Sequence, residues 1–259
     1  MDGSRETFTR VFTAHGYVNV ADVPRPDMDH MIALYDGEIS FMDAWIGELL
    51  RAIEVKGVWD RTLVVVTGDH GEGFGEHGQI WEHSGTIFDE AVRVPLVVKP
   101  PRGGPAGRRV AALARTIDIA PTVLAIAGLP PLDPVDGVHL PGLSAAGQDA
   151  TPAAEVFLEA QRERQAMAAD WSFLGLRNDR LKLVLLYPQG RDPQASLFDL
   201  LADPAERAAL DPPPRETLER LTRRAIGAYQ ALKGEGGDNA YREMDEMTSE
   251  APHSLGYVK

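Results

Sequence analysis

Between Thr62 and Pro95 the chain reads TLVVVTGDHGEGFGEHGQIWEHSGTIFDEAVRVP, and no other stretch restricts the possible folds so tightly. Leu63 to Val66 form an apolar, largely β-branched run, too short for a helix, which predicts a buried strand. Gly68 ends the run, and Asp69 and His70 follow at once. In an open α/β sheet, ligands bind at the carboxyl ends of strands, so these two side chains leave the sheet where reactive groups belong. The loop beyond sets Glu72, Glu76, His77, Glu82 and His83 among Gly71, Gly73, Gly75, Gly78 and Gly85, and holds three of the chain's 7 histidines together with His70. Glycine allows positive φ and close backbone approach, as a loop requires if it is to fold back over its own strand end. A carboxylate beside an imidazole can share one divalent cation. The competing reading is a solvated acidic turn with incidental histidines, and this density of polar ligands directly after a strand weighs against it.

The flanking segments supply the rest of an α/β layer. FTRVFTAHGY reads as a strand and Val23 to Pro26 as a turn or extended segment. From Met31 to Lys56, apolar Met31, Leu34, Tyr35, Ile39, Met42, Ile46, Leu49, Leu50 and Ile53 recur at helical spacing, and Gly57 supplies a left-handed cap. A long amphipathic helix is therefore expected to feed the strand. After the loop, a short helix or turn should lead into the strand RVPLVVK, lying beside the first, and Asp118 to Ala127 reads as a helix ended by Gly128 and Pro130.

Between Gly142 and Thr151 the composition turns to Ala, Gly, Ser and Pro, which divides the chain into residues 1–145 and 146–259. In the second part EVFLEA reads as a strand, WSFLGLR and LKLVLLYP as a hairpin turning at Asn178 and Asp179, and SLFDL as an edge strand. Asp203 is expected to cap a helix, with Pro204 in its first turn and Glu206 reaching back. Leu218, Leu221, Tyr229 and Leu232 mark a final amphipathic helix.

Composition narrows the function. Zero cysteines remove disulfides, thiolate metal sites and a cysteine nucleophile together. A formal charge of −13 argues against a nucleic-acid partner, because phosphate binding relies on clustered Lys and Arg. An anionic ester substrate would have to be drawn in against that field by local positive charge, which favours a metal at Asp69 and His70. No apolar run approaches a membrane-spanning length, and MDGSRETFTR lacks the apolar core of a signal peptide, so the chain as it stands is expected to be soluble and cytoplasmic.

GDHGEGFGEHG followed by HSGTIFDEAVRVPLVV closely resembles the second metal-binding segment of the sulfatase family, a branch of the alkaline phosphatase superfamily. YDGEISFMDAWIGELL resembles the helix before that strand in bacterial members, and TIDIAPTVLAIAGLP through VDGVHL the helix and loop that close their large domain. LRNDRLKLV with LFDLLADPAE resembles their small C-terminal subdomain, and SLGYVK their usual terminus. The resemblance implies an α/β fold, part of the alkaline-phosphatase-like mixed-sheet sandwich, with a small C-terminal antiparallel α+β subdomain.

It also implies hydrolysis of a sulfate ester by a formylglycine hydrate, made from the Cys or Ser of a Cys/Ser-x-Pro-x-Arg motif. A divalent metal, calcium on the family pattern, anchors the nucleophile and a sulfate oxygen there. Carried over, Asp69 and His70 are metal ligands. His83 falls near the position where members carry a Lys or His that contacts the sulfate or leaving-group oxygen, with a register shift of one or two residues open. His77 is a further candidate beside the substrate. Members place a substrate-binding histidine upstream of the strand, and His15 is the match there, the alternative being an ordinary surface histidine.

The sequence departs from the family where the nucleophile should be, since none of its serines has proline two positions later, and no paired aspartates stand upstream of residue 62. Calcium takes about six to eight oxygen ligands, more than Asp69 and His70 supply. The chain is therefore expected to be the distal half of a sulfatase, inactive without its N-terminal half. A phosphodiesterase or phosphonate hydrolase of the same superfamily using Mn²⁺ or Zn²⁺, and a non-enzymatic product, remain the alternatives.

Overall fold

The computed structural model describes residues 23–78, 80–83, 85–102, 104, 106–133, 136–140, 142–143, 155–161, 171–188 and 193–233. His15, the FTRVFTAHGY segment, most of the stretch from 142 to 151 and the SLGYVK terminus lie outside them. The chain forms two compact units, one of residues 1–69, 73–81 and 94–152, the other of residues 70–72, 82–93 and 153–259.

The first unit begins with helix α1, Arg25–Val55. It starts six residues before Met31, inside the segment expected to be a turn. Proline explains the difference, because a first helical turn has no intrahelical acceptor for its amide groups and so loses nothing to Pro26. The carboxyl end is as expected, with Gly57 at φ 66° donating its N–H to Glu54 O. Strand β1, Val64–Thr67, follows. A short ribbon pairs β2, Gly73–Phe74, with β3, Ile80–Glu82. Helical turn α2, Asp89–Val92, belongs to the second unit, and strand β4, Leu96–Lys99, follows it in the chain and belongs to the first.

β4 pairs antiparallel with β1, from Val64 opposite Lys99 to Thr67 opposite Leu96. The two strands are neighbours as expected, but β1 is less buried than its apolar run suggested, with Val66 and Thr67 exposed. Lys99 pins the pair to the preceding loop, donating to Trp59 O and to Thr62 O with its ammonium 4.3 Å from the Trp59 ring centre. Helix α3, Ile119–Ala127, ends at Gly128 as expected. The buried Asp118 before it accepts from Arg115 and from Val138 N, which ties the 136–140 loop to the helix start.

In the second unit β5, Val156–Gln161, β6, Trp171–Arg177, β7, Leu181–Pro188, and β8, Gln194–Asp199, form an antiparallel sheet in that order. Helix α4, Arg215–Lys233, follows. The period-2 rule sorts the sheet cleanly. Leu174, Leu176, Leu183, Leu185, Tyr187 and Leu197 pack with Leu218, Leu221, Ala225, Ile226 and Tyr229 of α4. Phe173, Val184 and Phe198 instead pack with Ile87. Gly175 makes room on that second side, since a Cβ there would stand 2.5 Å from Ile87 Cδ1.

Two expectations fail in this unit. Leu232 is 62% exposed and takes no part in the core. Residues 203–206 form a turn and not a helix, because Glu206 adopts φ 53° and its side chain goes into the interior. Among the described residues, no helix is long and apolar enough to cross a membrane.

Two outcomes test this packing. Leu221 is 1% exposed at the centre of the sheet–helix core, so Leu221→Ala should lower the unfolding free energy by about 2–5 kcal/mol in urea titrations, and a loss below about 1 kcal/mol would contradict the assignment. On α1, Phe41, Trp45 and Leu49 are 63%, 62% and 60% exposed, so the chain alone should self-associate in sedimentation runs, and Phe41→Ser/Trp45→Ser should reverse this.

Candidate active site

The ladder between β1 and β4 ends at Thr67, and two exposed or half-buried residues later the chain reaches Asp69. Asp69 closes its segment of the first unit, whereas His70, Gly71 and Glu72 belong to the second. His77 sits half-buried in the turn between β2 and β3, where Gly78 N donates to Gly75 O. That turn is also in the first unit, and His15 lies outside the described residues. Of the expected site residues, His70 and His83 are the two brought together within one unit.

Their rings stack, with centres 3.9 Å apart and planes within 9° of parallel. Each ring is oriented by a different acceptor. His70 Nδ1 lies 2.8 Å from Gly71 O. A carbonyl can only accept, so Nδ1 carries a proton. His83 Nδ1 lies 3.1 Å from Glu72 Oε2, which places a proton on Nδ1 in the same way.

Glu72, counted in the sequence only as one of the loop's polar ligands, has a role of its own here. Its side chain is 18% exposed, and its Oε1 is buried with no hydrogen-bond partner among the described residues. The available signal was position: Glu72 stands two residues beyond His70 in the same glycine-rich loop.

The His70–Glu72 tripeptide is docked through its middle residue. Gly71 N donates to Ala91 O at 2.7 Å, and a Cβ on Gly71 would lie 2.0 Å from Glu90 O. Only glycine allows the approach. The turn α2 on the other side of that contact is the same segment whose Ile87 is buried in the second unit's sheet.

These donors suit a divalent cation as a partial set. His70 has the second-sphere bond typical of a metal-bound imidazole, with Nδ1–H given to a backbone carbonyl. Glu72 Oε1 is a buried carboxylate oxygen with capacity to spare. Among the described residues, however, no group of three or more His, Asp or Glu converges on one point. A full coordination sphere needs further ligands.

The family model described as Sulfatase matches residues 4–129, and that described as N-sulphoglucosamine sulphohydrolase, C-terminal, matches residues 75–225. The chain is 30% identical over 173 residues to an N-acetylglucosamine-6-O-sulfatase of Bacteroides thetaiotaomicron, covering 66% of this chain and 30% of that protein. A solved 2-O GAG sulfatase superposes with a TM-score of 0.65 at 19% identity, over 93% of this chain and 47% of that one. A phosphonate monoester hydrolase from Silicibacter pomeroyi also reaches 0.65, at 26% identity, over 82% of this chain and 43% of that one.

The chain spans about a third of the length of the curated relatives it matches, 30% and 32% for the first two. The fold is α/β, of the alkaline-phosphatase-like kind with its antiparallel C-terminal sheet. With the N-sulphoglucosamine sulphohydrolase model matching more than half of its length and the Sulfatase model matching residues 4–129, the chain belongs to the sulfatase family.

Proposed function

We propose that this chain contributes one side of a sulfate-ester hydrolysing site that uses a divalent cation. The observation that carries the reading is the pair of stacked imidazoles, His70 and His83, each with Nδ1 held at an acceptor. Asp69 and His70 are the residues that would hold the cation, which when bound supplies positive charge against a sulfate oxygen. Glu72 holds the His83 ring in place. His83 contacts the sulfate or the leaving-group oxygen and, when protonated at Nε2, can give that proton to the departing alkoxide. His77, and His15 from outside the described residues, are assigned to the substrate side.

The nucleophile and the remaining cation ligands come, in this proposal, from polypeptide outside the present sequence, which has no Cys and no Ser-x-Pro. Residues 1–145 then form the distal part of the catalytic domain, and 146–259 the small C-terminal subdomain. The substrate class proposed is a sulfated sugar, supported by the names of the N-acetylglucosamine-6-O-sulfatase and the 2-O GAG sulfatase that the chain resembles. Calcium is the cation proposed for this reading.

A second reading has its own support. The phosphonate monoester hydrolase superposes as well as the sulfatase does, and an imidazole ligand suits Mn²⁺ or Zn²⁺ better than calcium. The chain would then act on phosphate diesters or phosphonate monoesters.

Calorimetric titration separates the readings. Binding of Ca²⁺ or Mn²⁺ to the chain alone should be weak and should vanish in Asp69→Ala and His70→Ala, with the preferred ion distinguishing sulfatase from phosphodiesterase. Co-expression with the polypeptide encoded immediately upstream should bring turnover of p-nitrophenyl sulfate above that of bis(p-nitrophenyl) phosphate. His83→Ala should then cut kcat by about 10²–10⁴-fold, the usual worth of one general acid. Robust turnover by the chain alone that survives Asp69→Ala would overturn the assignment.

A further inference from the structure

Four charged side chains meet inside the second unit, outside the stacked-histidine site. Lys182 has no exposed surface, and its Nζ lies 2.9 Å from Asp89 Oδ1 and 2.7 Å from Glu206 Oε1. Arg177 NH1 reaches both oxygens of Asp89 at 2.8 Å. Asp89 N donates to Glu206 Oε2 at 2.7 Å. Two cations and two carboxylates therefore balance. Burial pushes the Glu206 carboxyl above its ordinary range, and Lys182 beside it pulls it part of the way back.

Every element of this cluster converges on α2. Asp89 opens that turn, and Phe88 just before it packs edge-on against Phe173 and Phe198. On the far side of the turn, Ala91 O receives Gly71 N–H, and Glu90 O leaves no room for a Cβ on Gly71. A continuous path thus runs from Lys182, Arg177 and Glu206 through Asp89 and Ala91 to Gly71, whose neighbours are His70 and Glu72. The segment 82–93 that carries Asp89 also carries His83, so both partners of the imidazole stack hang from the same turn.

We infer that Asp89, held by Lys182, Arg177 and Glu206, is a positioning residue: through α2 it fixes the His70–Glu72 tripeptide and keeps His70 against His83. The role rests on the reading of these histidines as site residues, but its geometry can be tested without turnover or metal. It assigns a purpose to the RLKLV and DPAE segments, which contribute nothing directly to the stacked pair.

Amide hydrogen exchange resolved to Gly71, followed in the whole chain, tests it. In Asp89→Asn the Gly71 amide should exchange about tenfold faster or more, while amides of α4 and of the β6–β8 ladder change far less. The Overhauser contact between the His70 and His83 rings should weaken with it. Leu221→Ala is the control, because loss of global stability alone moves core amides and Gly71 together and leaves the ring contact in place. Should Asp89→Asn fail to fold, Arg177→Gln removes only the partly exposed arm and should show the same selective effect. Unchanged Gly71 exchange in a folded variant, or acceleration only in step with the core, overturns the inference. Failure of sulfatase activity with selective exchange intact would instead count against the proposed function alone.

Discussion

An ammonium group with no exposed surface has to be met by carboxylates, and Lys182 is met by two that arrive from distant parts of the chain. Asp89 precedes it by 93 residues, and Glu206 follows it by 24. Satisfying one lysine therefore brings three segments to a single point. Removing one partner of such a cluster costs on the order of 3–5 kcal/mol, yet replacing all of it with apolar residues of similar volume is often neutral. Net stability does not explain four charges here. Placement does, because an apolar contact tolerates sliding, whereas the charge-assisted hydrogen bonds from Arg177 NH1 and Lys182 Nζ to Asp89 are directional.

The parts of the fold that were legible in sequence are those governed by a repeat. Strands β1, β4 and β6 to β8 and helices α3 and α4 follow from short apolar or β-branched runs and from helical spacing, bounded by glycine, proline or turn residues. The start of α1 was less legible, because Pro24 and Pro26 signal a turn and a first helical turn with equal force. Glu206 was misread for a related reason. Asp-Pro-x-Glu has the spacing of a helix cap, and nothing local announces that a lysine 24 positions earlier will claim the carboxylate.

The site divides along the same line. Asp69 and His70 could be placed by rule at the end of a strand, whereas Glu72 looked like one more acid in an acidic loop. What distinguishes it is burial and a contact with His83 eleven residues away, neither of which periodicity reports. The exposed apolar face of α1 is the converse case. Its spacing correctly announces an amphipathic helix, yet among the described residues only Met28 and Met31 of that helix are buried. Hydrophobic pattern states that a face is apolar and not what covers it.

One residue ties the loop to the His70 ring. Gly71 spends its N–H on Ala91 and its carbonyl on His70 Nδ1, and it has no space for a side chain. The first bond docks the loop on α2, and the second selects the imidazole tautomer. Both demands act on the same residue, so a shift of α2 that lengthens the first bond also moves the carbonyl that holds the second. The orientation of the His70 ring is in this way tied to the position of a helical turn whose own anchor is a buried lysine in β7.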